Sequence, residues 1–383
     1  MTQPARIAGM DAARGAIMLI MATDHVNALV VRRHSAEFWA GSWTHYGDTL
    51  ADRIQLGFRI FSDLCAPGFF FWMGSGIALL AARRTDWPHG RLRTHTLLRG
   101  ILLIALSWFV EVPAWLVGIH GDHTGGSPGG WPGAGPAIRL PITVLTALGL
   151  CTILLALFQP LLRRRIAMAC LAVFCALSPS LFLPDDPRSP TGMLARLGLV
   201  AGQTGGLYVE YPVLPWLGVT LFGHLFGQCL ARQPGRTLQA SLWIGVGCLL
   251  LSLMLRWHGT FGNLRPPRDG SWREFLNLVK YPPSPVFVLS MLGGTLCLFR
   301  ALSHDPENRL ARLCIGFGRA PLAFYLGHLW LFAIIGAAFF PFGTDYATGL
   351  LVWLVGLGPL YWLCATFARI RRAQSATSWF HLF

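Results

Sequence analysis

The sequence is short of charge. Only 13% of its 383 residues are Asp, Glu, Lys or Arg, about half of the ~25% that a soluble domain carries. A soluble globule of this size could not cover its surface with so few charges. A disordered chain needs the opposite balance, with few apolar residues and many charges. Lysine is almost missing: Lys280 stands alone among 31 basic residues. That bias toward arginine points to a GC-rich bacterial coding background, not to mechanism. Acidic residues number only 17, which leaves a net charge of +14. The nine cysteines (Cys65, Cys151, Cys170, Cys175, Cys229, Cys248, Cys297, Cys314 and Cys364) all lie in or beside apolar runs. Their number is odd and their spacing fits no metal site, so they read as small core residues.

What the chain does have is apolar length. Hydrophobic residues make up 54% and the mean hydropathy is +0.51. A bilayer core takes about 20 mostly apolar residues per helix. Ten such stretches can be marked, at 11–31, 58–82, 97–119, 140–160, 166–183, 211–231, 238–256, 281–302, 314–340 and 347–368. The expectation is an all-α polytopic transmembrane helix bundle of about 10 spans, forming a single integral-membrane domain over residues 1–383. The first stretch carries Asp11, Arg14, Asp24 and His25, unlike the apolar region of a cleavable signal peptide.

A basic protein first suggests nucleic acid, which requires clustered charge on a soluble face. The positions of Lys and Arg argue otherwise. With the N-terminus placed in the cytoplasm, 18 fall in cytoplasmic segments and 12 in outer ones, with Arg59 and Lys280 counted among the outer set. Most of the acids fall outside, so the outer surface is nearly neutral. The excess follows the positive-inside rule and predicts both termini in the cytoplasm, with no nucleic-acid partner. Outer segments are long and rich in Gly and Pro, as at 120–139, and inner ones are short. The elaborated outer side is the expected acceptor side.

Ionisable residues inside spans are costly and therefore candidates for function. Asp11, Arg14, Met18, Met21 and His25 form one helical stripe at 3.6 residues per turn. By span direction, Asp24, His25, Asp63 and Glu111 reach a similar depth in the outer half, with His328 near mid-depth. A histidine among carboxylates in a membrane cavity suits general-base chemistry: the carboxylate fixes the tautomer and the imidazole accepts a proton. The alternative is that these groups pair to hold helices together. His45, in Trp43-Thr44-His45-Tyr46, either reaches over such a cavity or is a solvated loop residue. Glu210 and Tyr211 sit at the outer mouth of the sixth span, where they would line an acceptor site. Arg319 and the Arg83/Arg84 pair lie toward the cytoplasm and suit cofactor phosphates, or for the pair, membrane anchoring. His120, Asp122 and His123 have no fourth ligand in their glycine-rich loop, so no metal is expected. His224 reads as a helix-packing residue.

Several segments taken together resemble a known family. They are Asp11-Ala12-Ala13-Arg14-Gly15 with Met21-Ala22-Thr23-Asp24-His25; Asp63-Leu64-Cys65-Ala66-Pro67-Gly68 through Gly74; Tyr211-Pro212-Val213-Leu214-Pro215-Trp216-Leu217-Gly218; Lys280-Tyr281-Pro282-Pro283-Ser284; and Gly318-Arg319-Ala320-Pro321-Leu322 with Tyr325 and His328. In this order they resemble the bacterial DUF1624 membrane proteins, related to the heparan-alpha-glucosaminide N-acetyltransferase catalytic domain. The resemblance implies acyl transfer across a membrane, with acetyl-CoA or another acyl-CoA used from the cytosolic side and a sugar amine acetylated on the other. It also implies an active-site histidine on the non-cytosolic side. The eukaryotic histidine falls near Arg53 here, and His25 falls where the eukaryotic enzyme has a polar asparagine.

These strands combine into one expectation: a multi-pass acyltransferase of the bacterial inner membrane. It would move an acyl group, acetyl first, from cytoplasmic acyl-CoA to a sugar or glycan at the periplasmic face. His25 is the base or transient acyl carrier, with His45 as the alternative, and Asp24 or Asp63 orients it. Arg14, Arg319 and His328 serve the donor, and Glu111, Glu210 and Tyr211 serve the acceptor. The partners are the lipid bilayer and the acceptor glycan, with a homodimer left open. A transporter or flippase for a lipid-linked or small polar solute is the rival reading, and a membrane scaffold the third.

Overall fold

The computed structural model describes residues 7–33, 47–124, 140–158, 164–183, 192–374 and 382. It is a helix bundle. Among the described residues, nine helical segments are long and apolar enough to cross a membrane. The helices are α1 (Ala8–Val26), α2 (Leu50–Ser62), α3 (Cys65–Arg83), α4 (His89–Leu106), α5 (Val112–His120), α6 (Val144–Leu157), α7 (Arg165–Phe182), α8 (Met193–Gly198), α9 (Val213–Arg232), α10 (Pro234–His258), α11 (Trp272–Leu276), α12 (Pro285–His304), α13 (Arg309–Gly318), α14 (Pro321–Phe339) and α15 (Tyr346–Ala373).

Three departures from the expected spans have local causes. The stretch at 140–160 gives its first residues to a short strand, β1 (Leu140–Ile142), and only 14 residues to α6, fewer than a bilayer core needs. The stretch at 314–340 breaks in two. Pro321 begins α14, and Ala320 before it lies outside the helical region at φ −134°, ψ 61°, as a residue preceding proline tends to do. The second span bends at Asp63-Leu64, between α2 and α3.

The core lies around α1, α3 and α9. About 67% of the spanning window of α1 and of α9 is buried, against 17% for α10 and α15, which ring the outside. α3 and α9 approach backbone to backbone. A Cβ on Gly74 would sit 2.0 Å from the Thr220 carbonyl oxygen, and one on Gly223 would sit 2.0 Å from that of Phe71. Small residues of this kind drive helix packing in lipid, where apolar burial gives no advantage over the acyl chains. The Ser75 hydroxyl seals the contact by donating to the Gly223 carbonyl at 2.8 Å.

Two π-helical turns interrupt this regularity, Asn27–Val31 at the end of α1 and Ser107–Glu111 between α4 and α5. Such turns are frequent at functional sites. The end of the first is pinned by Arg32, whose guanidinium donates to the Gly118 and Gly121 carbonyls at 2.7 and 3.0 Å. At the same end of the bundle a three-stranded sheet joins β1 in parallel to β3 (Leu207–Val209), which pairs antiparallel with β2 (Gly202–Thr204).

Candidate active site

Below this small sheet lies a cavity of about 80 Å³, enough for several water molecules. Most of the bundle contributes to it, with α3 and α5 adding Cys65, Ala66, Phe69 and Trp115. α1 brings Asp24 and His25 at its last turn, just before the first π turn. α2 brings Arg59, and the second π turn brings Glu111. The β1–α6 junction brings Thr143, the β3–α9 junction brings Glu210 and Tyr211, and α14 brings Tyr325. The connection from α10 to α12 brings Lys280 and Tyr281.

That last connection is built around a buried arginine. Arg256, near the end of α10, donates to the carbonyls of Arg265, Glu274, Phe275 and Asn277 and to the Asn263 side chain. Arg265 adds an ion pair with Glu274 at 2.7 Å. A loop that satisfies its own carbonyls in this way can hold Lys280 and Tyr281 in a fixed position at the cavity wall.

The charged groups at the cavity are paired. Arg59, 1% exposed, forms an ion pair with Asp24. Lys280 donates to Asp63 at 3.1 Å, with both side chains buried. Asp63 thus stands behind Lys280 instead of on the cavity wall. Glu111 accepts hydrogen bonds from Tyr325, Thr143 and Ser107 at 2.6, 2.6 and 2.8 Å. Three hydroxyl donors around one carboxyl fix its orientation toward the cavity. The Tyr211 and Tyr281 hydroxyls bond to each other at 3.0 Å.

His25 packs edge-on against Trp115, with ring centroids 5.2 Å apart. Its Nδ1 lies 2.6 Å from Nε2 of His328, and Nδ1 of His328 lies 2.9 Å from the Phe324 carbonyl oxygen. His328 is fully buried and stands behind His25, outside the cavity lining. Five residues expected at the site, Asp24, His25, Glu111, Glu210 and Tyr211, therefore meet around one cavity, with Asp63 and His328 directly behind. His45 falls outside the described residues. His224 is buried within α9, the His120 ring bonds to the Leu116 carbonyl, and among the described residues no three His, Cys, Asp or Glu side chains are grouped to hold a metal ion.

Arg59, Lys280, Tyr281, Trp115, Thr143 and Tyr325 are site residues that hydropathy reasoning passed over. The charge count places Arg59 and Lys280 in outer segments, and both are buried. A signal was present: the single lysine of the chain sits in Lys280-Tyr281-Pro282-Pro283, and Arg59 falls one helical turn before Asp63.

The other end of α1 carries a second charged group. Arg14 pairs with Asp11 at 3.5 Å. Arg14 and Arg371 lie close enough to Arg99 to repel its charge, and Arg371 donates to the Arg319 carbonyl at 2.7 Å. The Nε of Arg319 is buried with no hydrogen-bond partner among the described residues. Arg14, Arg99, Arg319 and Arg371 are thus linked at this end of the bundle, with Asp11 paired to the first, and such a group suits an anion. Arg14 and His25 are eleven residues apart on the helical chain, about 16 Å at 1.5 Å per residue.

The model of the family described as heparan-alpha-glucosaminide N-acetyltransferase, catalytic, matches residues 6–254. The match covers α1 to α10 and stops before Lys280, Tyr281, Tyr325 and His328, which complete the cavity from the remaining helices. Comparison with curated proteins finds no match.

Proposed function

Because the chain belongs to the heparan-alpha-glucosaminide N-acetyltransferase catalytic family, a family of membrane acetyltransferases, we propose that it carries an acetyl group from acyl-CoA to a sugar or glycan. The single observation that carries this reading is the meeting of His25, Glu111, Glu210, Asp24–Arg59 and Lys280 around one cavity. Holding helices together does not need so many ionisable groups at one depth, and their burial is costly without a function.

His25 removes the proton from the acceptor amine or hydroxyl as its nitrogen or oxygen bonds to the thioester carbonyl carbon. The C–S bond then breaks, and the thiolate of CoA takes that proton from His25. The tetrahedral oxyanion between these steps needs donors fixed in place beforehand, and the Arg59 guanidinium and the Lys280 ammonium line the same cavity with N–H groups beyond those given to Asp24 and Asp63. Trp115, Tyr211 and Tyr281 offer flat apolar faces to a sugar ring, and Glu111 and Glu210 accept from its hydroxyls. At the far end of α1 the arginine group fits the phosphates of CoA, and the 16 Å between Arg14 and His25 is comparable with the length of an extended pantetheine arm.

The donor side is the cytoplasm and the acceptor side the periplasm of a bacterial inner membrane in this reading. Charge burial supports that orientation. Of the twelve Lys and Arg assigned outside, Arg59, Arg196, Arg256, Arg265 and Lys280 are buried, whereas none of the described arginines assigned inside is. The exposed basic residues are thus more one-sided than the sequence count, and exposed ones are what the positive-inside rule concerns.

The test is turnover by the purified full chain in detergent, with acetyl-CoA as donor, D-glucosamine as probe acceptor and thiol release as readout. Turnover that requires both substrates is expected. His25→Ala should lower kcat by about 100-fold or more with an unchanged melting temperature. A folded His25→Ala protein that works at the wild-type rate would remove His25 from the mechanism. Wild-type protein that neither binds nor consumes acetyl-CoA would end the acyltransferase reading.

A further inference from the structure

We propose that His328 is a positioning residue that holds His25 in the tautomer with its proton on Nδ1, leaving Nε2 as the proton-accepting nitrogen of the site. The proposal rests on the reading of His25 as the base.

The direction of each hydrogen bond follows from an atom that can only accept. Nδ1 of His328 lies 2.9 Å from the Phe324 carbonyl oxygen, one turn earlier in α14. A carbonyl has no proton to give, so Nδ1 of His328 carries the hydrogen. A neutral imidazole has one N–H, and an imidazole buried against the rings of Phe324 and Phe332 is kept neutral by the cost of burying a charge. Its Nε2 must then accept. That nitrogen is 2.6 Å from Nδ1 of His25, so Nδ1 of His25 donates and its lone pair is on Nε2.

The ring geometry agrees. The two imidazoles are within 7° of coplanar, with centroids 4.9 Å apart. That separation is the hydrogen bond plus the two ring radii, an in-plane N–H···N bond and not a face-to-face stack. His328 lies behind His25, away from the cavity that His25 lines, so the edge bearing Nδ1 is turned from the acceptor and Nε2 is on the opposite side of the ring. The relay ends on a helix backbone carbonyl, whose direction is fixed by α14. The role that the sequence assigned to Asp24 or Asp63 thus passes to a second histidine, while those carboxylates hold Arg59 and Lys280. When Nε2 of His25 takes a proton, the bond to His328 stays in place and stabilises the imidazolium.

The test is nitrogen NMR of the full chain labelled with ¹⁵N-histidine in detergent micelles. His25 and His328 are identified among twelve histidines by loss of their signals in His25→Gln and His328→Gln. His25 is expected to show a protonated Nδ1 and an unprotonated Nε2 in the wild type. In His328→Phe it should move to a mixture rich in Nε2–H, as free imidazole prefers. A wild-type His25 protonated on Nε2 overturns the proposal, and so does an unchanged tautomer in a folded His328→Phe protein. A merely space-filling His328 would give that second result.

Turnover of acetyl-CoA with D-glucosamine separates this from the parent reading. His328→Phe should lower kcat about 10–100-fold with little change in KM, His328→Asn should recover part of it, and His328→Phe should cost nothing more once His25 is Ala. An additive loss in the double variant would overturn the positioning role. If the tautomer is as stated but His25→Ala is fully active, the base assignment falls and the geometry stands.

Discussion

Replacing Lys280 by Met removes a cation from a buried pair and leaves Asp63 with its charge. The two groups lie 3.1 Å apart with side chains 7% exposed each. At an effective dielectric constant near 20 their attraction is about 5 kcal/mol. Taking each ion out of water costs several kcal/mol. The intact pair therefore contributes little net stability, but half of it is expensive. Lys280→Met should destabilise the protein by about 3–5 kcal/mol, or roughly 4–6 °C in melting temperature for a chain of this size. The double variant Lys280→Met/Asp63→Leu removes both charges and should recover most of that loss. It should not recover activity, because Lys280 lines the cavity and Asp63 only holds it. Thermal unfolding in detergent followed by intrinsic fluorescence reads the first quantity, and acetyl-CoA turnover reads the second. If Lys280→Met melts within a degree of the wild type, the burial argument is wrong. A double variant that is both stable and fully active would show that the pair serves neither catalysis nor substrate placement.

Gly223→Val would drive a side chain into the Phe71 carbonyl, which a Cβ alone would approach to 2.0 Å. Being backbone, it cannot move aside, so a loss of more than about 3 kcal/mol or of folded protein is expected. Gly247→Ala on the lipid side of α10, where a Cβ meets nothing, should be neutral or stabilise by up to about 1 kcal/mol; monodispersity and melting temperature check both. Arg319→Gln and Arg371→Gln should each raise the KM for acetyl-CoA about 10-fold or more with kcat preserved, the worth of one charge-assisted contact to a phosphate; steady-state kinetics with varied donor would show it. Glu274 has a pH signature. Burial raises its carboxyl, but Arg265, the Arg268 backbone N–H and Asn277 outweigh this and hold it below its ordinary value of 4.5. A depressed folded-state value gives stabilisation that is complete above 4.5 and is lost as pH falls through the lower folded value. Hydrogen-exchange protection over residues 263–277, measured relative to the intrinsic amide rate at each pH, should therefore be steady above pH 4.5 and fall on further acidification, and Glu274→Gln should remove that dependence.

The bundle was legible because its cause is one-dimensional. A run of apolar residues long enough to cross a bilayer must be a helix, since lipid leaves no other way to satisfy the backbone. Nine of the ten marked stretches became long helices on that ground alone. The errors fell where local backbone chemistry overrules hydropathy, at Pro321, at the Asp63-Leu64 bend and at Leu140–Ile142. At the last, residues of strand type pair with Leu207–Val209, a partner 67 positions away that no window of 20 residues can see. The π turns left no sequence signal of this kind.

The site was legible in its acids and histidines and not in its cations, and the asymmetry has a physical source. An acid inside an apolar run is conspicuous, so Asp24, Asp63 and Glu111 stood out at once. Arg59 and Lys280 sit where apolar runs end, and a basic residue at such a place reads as a flanking charge. Burial changes that reading, because neither Asp24 nor Asp63 can remain ionised in the bundle without a cation beside it. The three-dimensional question to put to such a sequence is which loop delivers the compensating charge. Here the answer is legible after the fact in the Arg256 network: a loop that buries one arginine to bind four of its own carbonyls is stiff enough to carry the only lysine of the chain to Asp63. The scarcity of charge is then a condition for the site to work. With so few ionic groups, Asp24 and Asp63 each face a buried cation, Arg59 and Lys280, and His328 with the Phe324 carbonyl behind it sets the direction of the His25 proton.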